Sequence, residues 1–197
     1  MSLFPRKNKI EQIGLELSDQ LKKVIANIPD ALSSVPTIND VFPNVDHAGL
    51  EGIDKSKIEK ELAILIYVGQ RLAVQLCEQK KGGNRTEDER REILSIYDSY
   101  ALEYLDKSPE FRKLINPRGE RYFQLVQSHL DEFHRGKLEQ FLKRLSFEFE
   151  QFCRGGGGQN DPIIIGAWFA LLPMSYLSCR YWSESFMWTF EYLIKNE

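Results

Sequence analysis

The chain has 197 residues, 42% of them hydrophobic and 28% charged, which suits one globular domain with a core that needs no disulfides. A net charge of −3 and a pI near 5.8 argue against general nucleic-acid binding. Cys77, Cys153 and Cys179 are too few and too far apart for a disulfide frame or a metal cluster, and read as reduced intracellular thiols.

The opening MSLFPRKNK is basic but lacks the apolar stretch of a secretory signal. Ile10, Ile13, Leu17, Leu21, Val24 and Ile28 then step by three and four, the spacing of one buried helical face. Pro29 is expected to stop that helix, because the residue before a proline avoids the α region. Residues 29–54 form the longest irregular stretch, divided by Pro29, Pro36, Pro43, Gly49 and Gly52. Its apolar residues Val35, Ile38, Val41, Phe42 and Val45 read as a strap laid across helices.

Ser56 and Glu59 are spaced as a capping box. Behind them Ile58, Leu62, Leu65, Gly69, Leu72 and Leu76 form a stripe that Ile64, Tyr67 and Val68 widen, as in a central helix, ending at Gly82 and Gly83. Thr86 and Glu89 form a second box, with Ile93, Tyr97, Tyr100, Ala101 and Tyr104 as the expected buried face. Pro109 and Pro117 each follow a capping residue and predict two more starts, a short helix and then a long one from Pro117 to Cys153, bent near Gly136. Residues 106–145 carry nine lysines and arginines against six acids, which reads as a solvated helical face, with an anion site as the alternative.

Residues 154–160 contain four consecutive glycines and read as a flexible connector; no Lys-Ser/Thr pair follows to make a phosphate loop. Asp161-Pro162 predicts another start, Pro173 a break or kink, and a last helix runs to about Lys195, while Ile163–Ile165 is the one candidate strand. From Pro162 to Cys179 no side chain is formally charged, and Trp168, Trp182 and Trp188 lie in or just past that run. Eighteen uncharged residues just reach the length of a membrane span, but Pro173, Ser175, Tyr176, Ser178 and the later Arg180 and Glu184 argue for a buried hairpin instead.

Candidate chemistry is sparse. Asp131 and His134, three apart and near His129, are weak candidates for a metal, since neither a second Asp/Glu-x-x-His element nor a His-Glu-x-x-His motif accompanies them. His47 beside Asp46 is a possible acid–base without an identifiable nucleophile. Arg180, the only formal charge between Asp161 and Glu184, either pairs with Glu184 or holds an anionic ligand head against an apolar pocket. Tyr97, Tyr100 and Tyr104 form a stripe with polar tips that suits a cavity wall, an interface rim or a core edge.

These observations predict a single all-α domain over residues 1–197, a bundle of five to seven helices with an aromatic-rich C-terminal helical hairpin. The function expected is a cytoplasmic, non-enzymatic protein-interaction or regulatory module, with no cofactor and no nucleic acid, whose partner is another protein or a second copy. Arg180, Trp182, Trp188, Tyr97, Tyr100 and Tyr104 are its candidate binding residues. The alternatives are a binder of an apolar or amphipathic small molecule in the core and, third, a metal-dependent enzyme.

Overall fold

A computed structural model describes residues 4–34, 54–77, 85–105, 109–129, 139–153 and 172–196. They form α1 (Phe4–Ala26), α2 (Ile28–Ser34), α3 (Lys55–Leu76), α4 (Glu87–Tyr104), α5 (Pro109–Ser128), α6 (Glu139–Cys153) and α7 (Leu172–Lys195). The chain is an all-α bundle, with no strand among the described residues.

The bundle is arranged around α3. Ile58, Leu62, Ile64, Leu65, Ile66, Val68, Leu72 and Val74 point in every direction around that helix, and all are buried. A helix with no polar face has to be surrounded. Accordingly α3 packs most extensively on α7, and also on α1, α2, α4, α5 and α6. Two glycines permit close approaches. A Cβ at Gly69 would stand 2.9 Å from Ser185 Oγ and 3.6 Å from the Trp182 ring, so α7 seats directly on α3. At Gly14 it would lie 2.6 Å from the Ile96 side chain, which sets the spacing of α1 and α4.

The helix ends show which local signals govern. Thr86 and Glu89 form both bonds of their box: the Thr86 N–H donates to Glu89 Oε2 at 2.8 Å, and the Glu89 N–H donates to Thr86 Oγ1 at 3.3 Å. The Ser56/Glu59 box does not form; Asp54 is the N-cap of α3 and accepts from the Ser56 N–H at 2.9 Å. An aspartate two residues earlier already serves the first free N–H groups, so Ser56 lies inside the helix. Arg85 donates to the carbonyls of Leu193 at 3.1 Å and Asn196 at 2.8 Å, satisfying acceptors that α7 leaves open at its C-terminus.

Prolines mislead in two places. Pro29 does not end the first helix, which stops at Ala26; it sits in the first turn of α2. Pro173 lies in the first turn of α7, and the residues before Leu172, across which its break is expected, lie outside the described residues. In a first turn the missing N–H has no intrahelical acceptor to lose. Pro117 starts nothing, because α5 runs through it from Pro109 to Ser128. The exposed Pro117 forfeits one hydrogen bond, while Ile115, Tyr122 and Val126 on either side of it are buried. The single long helix expected from Pro117 to Cys153 is therefore α5 and α6.

Residues 35–53 of the strap, Gly82 and Gly83, the bend near Gly136, the glycine connector, Asp161-Pro162, Ile163–Ile165 and Trp168 lie outside the described residues. No described helix is long and apolar enough to cross a membrane.

Candidate functional site

The C-terminal aromatic residues divide by position around α7. Trp182 is 3% exposed, its ring 5.7 Å from Phe141 of α6 on one side and stacked at 5.7 Å on Phe186 on the other. Phe190 continues the ladder at 6.2 Å. Trp188 is half-buried and stacked on Tyr192 at 5.1 Å. Between α6 and α7, Ser178 donates to Ser146 Oγ at 3.2 Å, small side chains that let the helices close. Around the outside run Arg180, whose Nε donates to Glu184 at 2.9 Å, and then Met187, Glu191 and Ile194. Arg180 thus forms the expected i,i+4 pair at the surface.

The tyrosines do not act as one stripe. Tyr97 is fully buried and donates to Gln70 Oε1 at 2.7 Å, its ring stacked at 5.5 Å on Tyr67. Tyr100 and Tyr104, expected on the buried face, are 40% and 38% exposed, and Lys22 of α1 lies over the Tyr104 ring. Ile93, Tyr97 and Ala101 fill the contact, so the face is narrower than its apolar content suggests. These tyrosines stand on α4, and Trp182, Trp188 and Arg180 on α7.

His129 stands in the turn that ends α5. Its Nδ1 donates to the Leu125 carbonyl at 2.8 Å, and Ser128 Oγ donates to the same oxygen at 2.9 Å. With both protons on one carbonyl, His129 is not set to take a proton from Ser128. Asp131, His134, Asp46 and His47 lie outside the described residues, among which no three His, Cys, Asp or Glu come together. Cys77 and Cys153 are buried and Cys179 is half-buried; burial pushes the Cys179 thiol up, away from the reactive thiolate.

What the periodicity does not reveal is a layer of buried charge beside α3. Glu61 is 5% exposed, accepts from the Tyr122 hydroxyl at 3.0 Å and faces Arg118 Nε at 3.5 Å. The Arg118 guanidinium lies 3.6 Å from the centre of the Phe152 ring. Burial raises the Glu61 carboxyl to about 7, and Arg118 and Tyr122 pull it part of the way back. Tyr122 and Tyr97, also raised by burial, stay protonated as hydrogen-bond donors. On α6, Glu148 is 2% exposed and paired with both Arg121 and Arg144. Tyr67 and Arg71 both donate to Asp98, tying α3 to α4. The arginines at 118, 121 and 144 are therefore half-buried or nearly buried, not the solvated face expected of residues 106–145. Phe-Glu-Phe-Glu at 147–150 and a lone Glu61 within an apolar run were the available signals.

Two clefts flank this layer. One, of about 330 Å³ between α3 and α5, has Val68, Leu72, Ile115 and Phe123 on its walls and Arg71, not Arg180, among its polar residues. The other, of about 450 Å³ between α5 and α6, is lined by Arg121, Gln124, Leu125, Ser128, His129 and Arg144. Compared with family models, with curated proteins and with solved structures, the chain gives no match.

Proposed function

We propose that this protein is a cytoplasmic, non-enzymatic α-helical interaction module, and that the outer flank of α7 is the surface that meets a protein partner. The observation that carries this reading is an apolar strip left open to water: Met187 is 50% and Ile194 46% exposed, beside the half-buried Phe186 and Phe190. Phe186, Phe190 and Ile194 recur every four residues, the spacing with which a helix fits a groove or another helix. The Arg180–Glu184 and Glu191–Lys195 pairs border the strip with charge, so an apolar centre has a polar rim. Unreactive thiols agree with a reducing compartment.

The test is a photo-reactive benzoylphenylalanine at position 187 in the protein's own cells, with the same group at the exposed Glu92 of α4 as control. A discrete heavier adduct is expected from position 187 and none from position 92, its mass distinguishing a second copy from a different protein. Equal or absent labelling at the two positions would contradict the proposal.

A further inference from the structure

We infer that the cleft between α3 and α5 binds a small molecule with an apolar body and an amide edge. The observation that carries this is Gly119, which lines the cleft from the interior of α5. Glycine is a poor residue for a helix interior, so its place there needs a reason. At Gly14 and Gly69 the reason is packing, since a Cβ would stand 2.6 Å and 2.9 Å from a neighbouring side chain. Gly119 has no such close neighbour among the described residues. A Cβ there would meet Val68 Cγ2 at 3.6 Å, an ordinary contact, and the backbone is helical. The missing side chain gives its space to the cleft.

The walls and rim set what fits. Val68, Leu72, Ile115 and Phe123 make the walls apolar, and the volume of about 330 Å³ is of small-molecule size. Arg71 does not call for an anion, because it is paired with Asp98 and also donates to the Tyr67 hydroxyl at 3.0 Å. Glu120 is exposed, where water and salt screen its charge. Among the described lining residues that leaves two amides, the exposed Gln75 of α3 and Asn116 of α5, one from each side of the cleft. Each carries donor N–H groups beside an acceptor oxygen. The group that answers both at once is another amide, or the ring N–H and C=O of a lactam. An apolar ring seated on the wall residues brings such an edge to the rim. The site is built from α3 and α5 and does not use the outer flank of α7.

The experiment is a heteronuclear NMR titration of the full chain with benzamide, a phenyl ring bearing one amide. Saturable shifts are expected at the backbone amides of Val68, Leu72, Gly119 and Phe123, with a dissociation constant of about 1 mM for so small a probe. Gly119→Leu fills the cleft and should weaken binding about tenfold or more. Gly119→Ala should weaken it by less but raise the urea midpoint, since alanine is the better helix former and has room there. Weaker binding by a more stable protein cannot come from unfolding, so Gly119→Ala decides the matter even if Gly119→Leu fails to fold. Gln75→Leu and Asn116→Leu leave the walls intact and should each weaken benzamide about threefold, the worth of one exposed hydrogen bond. Met187→Lys, on α7, should leave binding unchanged. No saturable shift at these amides in the wild type, wild-type affinity in both Gly119 variants, or a urea midpoint lowered by Gly119→Ala would overturn the inference. Wild-type affinity in both Gln75→Leu and Asn116→Leu would overturn the amide edge.

Discussion

Replacing Trp182 by alanine is expected to cost about 3–5 kcal/mol of stability, as large-to-small changes of buried aromatic residues do. Its ring closes the space between Phe141 and Phe186 and lies over Gly69, where α3 and α7 come closest. Gly69 has no side chain to move into the vacancy, and the Ser178–Ser146 hydrogen bond holds α6 against α7. Trp188→Ala should cost less, about 1–2 kcal/mol, since that ring is only partly buried, against Tyr192. Urea unfolding followed by circular dichroism measures both, and a wild-type midpoint for Trp182→Ala would show that its ring does not close the core.

The second large effect is expected at Arg118. Arg118→Met removes the cation facing Glu61 and leaves a carboxylate sealed beside Tyr122. At pH 8 the loss should be about 3–5 kcal/mol, the usual cost of breaking a buried pair from one side. The pH dependence has a definite sign. Burial holds the folded-state Glu61 proton to about 7, against an ordinary 4.5. Its contribution to stability is therefore full below the lower value and is lost as the pH rises through the higher one. Relative to Glu61→Gln, the wild type should lose about 3 kcal/mol between about pH 4 and pH 8. The Arg118→Met penalty should be larger at pH 8 than at pH 5, because without the guanidinium Glu61 is harder still to ionise. Stability curves of the wild type, Glu61→Gln and Arg118→Met across that range test this; parallel curves would show that Glu61 is already solvated.

Much of the bundle was legible in local pattern. Ile10, Ile13, Leu17 and Leu21 are buried as their spacing requires, and Thr86 with Glu89 caps α4. The apolar run after Ile58 predicts a central helix because a stripe widened on all sides cannot face water. Local pattern fails where a residue has two uses. A proline stops a helix or opens one, and the sequence around Pro29 suits both. Pro117 is carried inside α5 by tertiary burial of its neighbours, which no local rule contains.

The candidate sites were less legible still. Arg118, Arg121 and Arg144 read as surface charge because arginine usually is; their acids, Glu61 and Glu148, come from other helices or from a strongly aromatic stretch. The tail's aromatic content was evident, but not its division: Trp182 fell to the core and Met187 and Ile194 to the surface by about 120–140° of helical rotation.

That division carries the proposed function, and one unfolding experiment bears on it most directly. The double variant Met187→Lys/Ile194→Lys, in urea at neutral pH, should unfold within about 0.5 kcal/mol of the wild type, as exposed positions do. A loss of several kcal/mol, comparable to that of Trp182→Ala, would mean that the outer flank of α7 is interior to this chain and not available to a partner.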